Sequence, residues 1–354
     1  MKLRTSKSVK IGSVTIGNGA PVAIQSMTNT KTADREATLK QIRALQKAGC
    51  DIVRFTVNTP EAAAAVPYLC EHSGIPLVAD IHFDYKLALA AADGGISKLR
   101  INPGNIGEED RIRAVALKCR EKNIPIRIGI NSGSLEKDLL AKYGSPTAEA
   151  LCESALNAAK RFERYDFDNL VLSVKSSTVQ TMIDANRLLA ERCDYPLHIG
   201  VTETGTAKTG IVKSAIGIGA LLCDGIGDTV RVSLTADPTE EVVAAKEILR
   251  CAGRRTGINL ISCPTCGRTE IDLIPYAEKI QKEIDAIPTE KPITVALMGC
   301  IVNGPGEARE ADVGIAGGKG EAVLFRKGKI VGKIAESEIV PVLLSEIKRL
   351  AETE

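Results

Sequence analysis

From residue 22 to residue 234 the chain repeats one pattern: a short apolar segment of strand length, then a longer amphipathic one. The strand-like segments are Val22–Met27, Asp51–Val57, Leu77–Ile81, Lys98–Asn102, Ile126–Asn131, Leu170–Lys175, Leu197–Thr202 and Thr229–Leu234. Most are followed by a stretch with apolar residues three and four positions apart, as in Ala37–Ala48, Asp110–Glu121 and Val179–Cys193. That spacing predicts helices with one buried face. Strands that alternate with helices form parallel sheets. Eight such units in roughly 250 residues predict an α/β fold, a (β/α)8 TIM-type barrel. An open doubly wound sheet is the alternative, but its G-x-G-x-x-G fingerprint is missing after the first strand. A short hairpin over Val9–Ile16 is predicted ahead of the repeat.

Side chains alternate faces along a strand, so parity sorts each segment. One face carries Val53, Phe55, Val57, Ala79, Ile81, Leu99, Ile101, Ile126, Ile128, Ile130, Leu172, Val174, Leu197, Ile199, Val201, Val230, Val232 and Leu234. A helical layer would cover that face. The other carries Gln25, Arg54, Asp80, His82, Arg100, Asn102, Arg127, Asn131, Lys175, His198 and Arg231, and in a barrel it points into the lumen. A lumen is usually filled by branched apolar side chains, and unpaired charge there is costly. Here five cations face at most two anions, Asp80 and the loop residue Glu203. Several of the cations lie toward the carboxyl ends of their strands, where barrel enzymes keep their active sites. The missing negative charge is therefore assigned to a ligand. Guanidinium forks grip phosphate with two hydrogen bonds, and several together suit a diphosphate. The competing reading is a set of structural ion pairs at the barrel mouth.

Two loops on the same rim, Asn102-Pro103-Gly104-Asn105 and Asn131-Ser132-Gly133-Ser134, precede helices whose first N–H groups suit a phosphate. Ser134 equally suits a helix cap. Asp80 and His82 share a parity, which fits either substrate orientation and proton transfer or a plain pair. His198 sits lower on its strand, as a lumen histidine or a catalytic one. Glu203 is an acid or base candidate, or a solvated rim carboxylate. The segment Gly205–Gly210 lacks P-loop spacing, which excludes that mode of nucleotide binding.

After the helix-like Thr239–Cys251, Gly and charged residues cluster and the repeat stops. This divides the chain into a barrel over 1–254 and a smaller α+β unit over 255–354. Strands are predicted at Ile258–Ser262, Ile293–Met298, Val313–Ala316, Ala322–Arg326 and Lys329–Lys333, and helices at Asp272–Ile287 and Glu336–Ala351. The second unit carries Cys263-Pro264-Thr265-Cys266, then Cys300 inside a glycine-rich turn, then Glu307. A C-x2-C step lets two thiolates reach one metal or cluster. Three thiolates with one corner left to Glu307, water or substrate suit an iron–sulfur cluster. Cys251 is a contender for the fourth ligand, and structural zinc is the alternative.

Composition narrows the classes. Aromatic residues make up only 3% and Trp is absent, which argues against stacking on bases. A net charge of +2 with dispersed Lys and Arg gives no nucleic-acid footprint. No apolar run reaches the length of a membrane span, and the first residues lack the apolar core of a signal peptide. A cytoplasmic chain is expected, whose ten cysteines are reduced thiols plus a metal site.

A barrel followed by C-P-T-C and then M-G-C-I-V-N-G-P-G-E resembles the 4-hydroxy-3-methylbut-2-enyl diphosphate synthases of the methylerythritol phosphate route to isoprenoids. The likeness includes Ser26–Thr30, Val78–Phe83, Arg100–Gly107 and Ile126–Leu135, and it covers essentially the whole chain. It implies a [4Fe–4S] cluster on Cys263, Cys266, Cys300 and Glu307, leaving Cys251 a bystander. It implies reductive ring opening and dehydroxylation of 2-C-methyl-D-erythritol 2,4-cyclodiphosphate, with two electrons passing singly through the cluster from ferredoxin or flavodoxin. Arg54, Arg100, Arg127, Asn131, Lys175 and Arg231 match its substrate-holding positions. Asp80, His82, His198 and Glu203 match further polar positions, with Glu203 a candidate proton donor. Asn102 joins this set as the lumen-facing end of its strand. The family pattern also implies a homodimer in which one subunit's cluster domain covers the other's barrel. It further implies a C-terminal unit similar to the iron–sulfur region of sulfite and nitrite reductases. Two other readings stay open on the residues alone: a non-redox phosphate-binding barrel with a structural zinc unit, and an iron–sulfur sensor that binds a phosphorylated metabolite.

Overall fold

Ten strands and the helices between them build the first unit. They are β1 (Val9–Ile11), β2 (Val14–Ile16), β3 (Ala23–Met27), β4 (Ile52–Thr56), β5 (Leu77–Asp80), β6 (Lys98–Ile101), β7 (Ile126–Asn131), β8 (Leu170–Lys175), β9 (His198–Ile199) and β10 (Thr229–Val230). The computed structural model describes residues 3–289, 291–302, 306 and 309–352. Strands β3 to β10 form one parallel sheet in the order β8-β7-β6-β5-β4-β3-β10-β9. A parallel bridge between Leu172 and Leu197 joins its two ends, so the sheet closes into the expected eight-stranded barrel.

The parity reading holds on the outside. Val53, Phe55, Ala79, Leu99, Ile126, Ile128, Leu172, Leu197 and Val230 are all fully buried in one core shared with the helices. Those helices start and stop where local chemistry dictates. Arg35–Ala48 begins with Asp34 accepting from Ala37 N–H and ends at Gly49, whose φ of 96° only glycine adopts freely. Its Leu39, Ile42 and Leu45 form the buried stripe. Pro238–Cys251 begins with Asp237 as cap and Pro238 at the first position.

The last two barrel strands are shorter than the sequence predicts. Only His198–Ile199 and Thr229–Val230 pair, in place of Leu197–Thr202 and Thr229–Leu234. Gly200 explains the break, because a Cβ there would stand 2.4 Å from the Arg231 carbonyl oxygen. The two backbones close in on each other at this point and leave the regular ladder.

The β1–β2 hairpin plugs the lower end of the lumen. Its Val9, Ile11 and Ile16 pack with Ala23, Ile52, Val78 and Val171, which have luminal parity but lie at the amino ends of their strands. Burying such side chains stabilises by about 1.5–3 kcal/mol each.

The chain divides by its contacts into Met1–Arg254 and Arg255–Glu354. The second unit has a five-stranded sheet ordered β11 (Ile258–Ser262), β12 (Ile293–Met298), β13 (Val313–Gly317), β14 (Glu321–Arg326) and β15 (Lys329–Ala335). The first three strands are parallel and the last two antiparallel. Helices Leu273–Ile284 and Ile339–Glu352 supply Leu273, Ile280, Ile284, Ile339, Leu343 and Ile347 to the core. The closing helix starts later than predicted, since residues Glu336–Glu338 form a 3-10 turn.

Candidate active site

The stagger of the parallel registers sets the heights of the luminal side chains. Above the plug come Ile52, Lys98, Val171 and Thr229. Gln25, Val78, Arg127 and His198 follow, then Arg54, Arg100, Ser173 and Arg231. Met27, Asp80, Gly129 and Gly200 lie above those. Asn102 and Lys175 come next, and His82 and Asn131 stand at the rim. The structure thus brings together the luminal residues that parity singled out.

The middle levels are charged and buried. Asp80 is the hub: Arg100 Nη1 lies 3.1 Å from its Oδ1, Arg54 Nε 3.7 Å from its Oδ2, and His82 Nε2 3.8 Å from that same oxygen. Burial by itself would raise the Asp80 carboxyl, but Arg54 and Arg100, with His82 and Arg127, outweigh it and hold the group below its ordinary value. Burial draws the Arg54 guanidinium down to about 10, with Arg231 and Arg100 adding to this and Asp80 opposing it. Burial, reinforced by Arg127, also pushes Lys175 and His198 well below their usual values, so His198 is neutral. Its Nδ1 meets Thr229 Oγ1 at 2.7 Å, and its Nε2 has no partner among the described residues.

Two glycines make room for these cations. A Cβ at Gly129 would stand 2.6 Å from Arg100 Nε, and one at Gly200 would stand 3.0 Å from Lys175 Nζ. Asn102 Nδ2 donates to Ser134 Oγ at 3.1 Å, and Asn102 Oδ1 accepts from Gly104 N–H. Ser134 therefore ties two rim loops together and is not a helix cap. The next helix, Lys137–Tyr143, is preceded by Glu136.

Sequence reasoning missed one anion and one cation. Glu203 is exposed on the loop after β9, in a left-handed conformation with φ of 55°, and forms no ion pair among the described residues. The second buried carboxylate is Glu241, from helix Pro238–Cys251. It receives Arg231 Nη2 at 3.2 Å, Ser26 Oγ at 2.9 Å and Leu234 N–H at 3.1 Å. No local pattern marks Glu241, because a helix residue reaches the lumen only once the barrel closes. Lys98 did carry a signal: it shares parity with Arg100 and is fully buried, with no partner for its Nζ among the described residues. Six cations (Arg54, Lys98, Arg100, Arg127, Lys175 and Arg231) thus surround two carboxylates. Arg100 Nε and Arg127 Nε and Nη1 are buried without partners among the described residues. Such groups are costly unless something accepts their hydrogen bonds, and an anion does.

In the second unit the thiols gather at the carboxyl ends of β11 and β12. Parallel pairing sets Ser262 beside Leu297, so Cys263 follows one strand where Met298 ends the other. Gly299 N–H donates to Cys263 Sγ at 3.3 Å, and Glu270 N–H to the Gly299 carbonyl at 2.9 Å. Gly299 is needed there, because a Cβ would meet Thr269 Cγ2 at 2.8 Å. Cys300 is buried and Cys266 exposed. The backbone N–H and side chain of Arg268 hold the Cys266 thiol below its ordinary value. Glu307 lies outside the described residues. Among those described, no three His, Cys, Asp or Glu side chains converge as for one metal ion. The donor set still fits a cluster. It offers soft sulfur ligands, one thiol held below its ordinary value and one accepting a backbone N–H, and a cluster takes its thiolates at separate irons.

Solved structures share the barrel. A dihydropteroate synthase from Stenotrophomonas maltophilia matches 70% of this chain and 97% of its own, at 14% identity and a TM-score of 0.51. A sialic acid synthetase from Leptospira borgpetersenii matches 71% and 90%, at 14% identity and a TM-score of 0.50. At that identity the likeness is one of fold alone. Curated relatives are much nearer. Proteins named 4-hydroxy-3-methylbut-2-en-1-yl diphosphate synthase (flavodoxin) are 55% identical over 351 residues in Clostridium perfringens and 54% over 351 in Geobacter sulfurreducens. Each match takes in 99% of this chain, with 100% and 99% of the relative. Residues 6–246 match the GcpE TIM-barrel domain and residues 259–349 the GcpE protein C-terminal domain. With both halves of the chain matched, and relatives above half identity along nearly its full length, this enzyme belongs to the GcpE family of 4-hydroxy-3-methylbut-2-en-1-yl diphosphate synthases.

Proposed function

We propose that the chain converts 2-C-methyl-D-erythritol 2,4-cyclodiphosphate to 4-hydroxy-3-methylbut-2-enyl diphosphate, with flavodoxin or ferredoxin as electron donor. The observation that carries this reading is the lumen's excess of cations, five buried and Arg231 part-buried, against Asp80 and Glu241. A cyclic diphosphate supplies the missing charge, and its phosphate oxygens accept from Arg100 Nε and Arg127 Nε and Nη1. Lys175 and Asn131 hold it near the rim, and Asn102, fixed by Ser134, shapes the same edge. Asp80 keeps the Arg54 and Arg100 forks aligned and leaves His82 half-exposed at the mouth.

In the reaction a ring C–O bond breaks and a hydroxyl leaves as water, while two electrons and two protons enter. A [4Fe–4S] cluster on Cys263, Cys266, Cys300 and Glu307 supplies the electrons when bound. The proposal gives Glu203 the proton for the departing hydroxyl. Its left-handed backbone is the kind of strain that persists where a carboxyl must be held in place. Leaving water carries a proton that the cationic lumen cannot readily give, whereas a rim carboxyl reached by solvent is easily recharged.

The proposal includes a homodimer. Helices Ala207–Cys223 and Pro238–Cys251 leave Ile211, Ile216 and Val243 exposed around a groove of about 730 Å³. An apolar face of that kind suits a second copy of the chain.

The test is the iron, zinc and acid-labile sulfide content of protein purified without oxygen. About four irons and four sulfides per chain are expected. One zinc and no sulfide, persisting after reconstitution with iron and sulfide, would rule out the redox reaction and leave a phosphate-binding barrel with a structural metal.

A further inference from the structure

Beneath the arginine level lies a lysine to which the proposed reaction gives no part. Lys98 is fully buried there, and its Nζ has no hydrogen-bond partner among the described residues. One level up, Gln25, Arg127 and His198 are no more than 1% exposed and also carry polar atoms without protein partners. The floor is the apolar hairpin plug, with Ile52, Val78 and Val171 around it. The charges that press on Lys98 are Arg127 from β7 and Arg54 from β4. His198 from β9 is neutral. Arg100 on its own strand, Lys175 from β8 and Arg231 just after β10 add further positive charge higher up. The carboxylates stand above as well, and both are engaged, Asp80 with Arg100 and Arg54 and Glu241 with Arg231.

We infer that Lys98 is a proton acceptor coupled to the anion above it. It is a neutral amine in the free enzyme, takes one proton from solvent when the cyclic diphosphate seats against the arginines, and returns it when the product leaves. The inference rests on reading the lumen as the diphosphate site.

The reasoning is electrostatic. An ammonium brings three N–H donors, and this chamber offers it no carboxylate. Guanidinium keeps its charge when buried, whereas a buried lysine readily gives its proton up. Of the cations deep in the lumen, Lys98 is therefore the one that its surroundings neutralise, as burial and the two arginines do together. The arriving anion reverses the field. At about 7 Å and an effective dielectric near 20, each negative charge raises the ratio of ammonium to amine by about 50-fold. The site becomes more positive as the substrate enters and less so once it has gone, which limits the trapping of a product that is also a diphosphate.

Linkage fixes the sign. The complex holds one more proton than the free enzyme, so affinity falls by about tenfold for each pH unit gained between the two protonation ranges of Lys98. Lys175 and His198 feel the same field, so the test is a difference. The oxygen-free holoenzyme, without reductant, is titrated calorimetrically with the cyclodiphosphate at pH 8 in two buffers of different ionisation heat. This ligand has one strongly acidic hydroxyl per phosphorus and does not itself titrate there. Wild type should take up about one proton more than Lys98→Met. Equal uptake overturns the inference while leaving the diphosphate site intact; no binding by wild type overturns the site reading and the coupling with it. A second measurement needs no variant. Lysine-labelled wild type should show a neutral-amine 15Nζ signal for Lys98 that moves to the ammonium position on saturation, and an ammonium signal for Lys98 in the free enzyme overturns the inference.

Discussion

At the scale of single residues the lumen trades stability for binding. Arg127 is 1% exposed, with Nε and Nη1 lacking protein partners. Replacing a buried charge by an apolar side chain of similar volume often stabilises, by about 1–4 kcal/mol. Arg127→Met should therefore raise the melting temperature of the ligand-free protein while weakening substrate binding about 10- to 150-fold, the range for a lost hydrogen bond to a charged group. A thermal melt beside a binding titration checks both signs. Asp80 behaves oppositely. Its carboxyl is held below its ordinary value, so its contribution is fully present above about pH 4, the unfolded value, and is lost as pH falls through the folded one. Asp80→Asn leaves Arg54 and Arg100 uncompensated, and at pH 7 it should cost about 3–5 kcal/mol. The variant should also lose less stability than wild type between pH 5 and pH 3, read from urea midpoints at each pH.

At the scale of elements, the hairpin and the short strands decide what the barrel can hold. Ile11 is fully buried in the plug beneath the lumen. Ile11→Ala should lower stability by about 2–5 kcal/mol, seen as a lower denaturant midpoint at unchanged slope. The alternation of strand and helix was legible because its periods are local, two residues in a strand and 3.6 in a helix. The same locality explains what was not legible. The early ends of β9 and β10 depend on two backbones meeting at Gly200 and Arg231, which are far apart in sequence. The 3-10 turn at Glu336–Glu338 is likewise an adjustment at a junction, where an amphipathic pattern runs on regardless.

For the whole molecule, association is the property to test. Ile216 is 57% exposed and lines the apolar groove with Val243. Ile216→Glu puts a charge into any apolar interface formed there. The variant should sediment as a monomer at concentrations where wild type is a dimer, while keeping its melting temperature within a few degrees. An unchanged dimer would move the interface elsewhere on the surface.

The sequence by itself determined the barrel, the division near residue 254, the polar lining of the lumen and the paired thiol motifs. Each of these follows from spacing along the chain. Only the tertiary structure decided which charges are compensated. Glu241 carries no mark in a helical pattern and Glu203 reads as a rim carboxylate, yet the first is buried against Arg231 and the second stands in solvent. Lys98 has the parity of Arg100, but its isolation shows only when the plug and the arginine level enclose it. Pairing and burial are properties of closure, since they depend on distances between residues that the chain brings together from opposite sides of the ring.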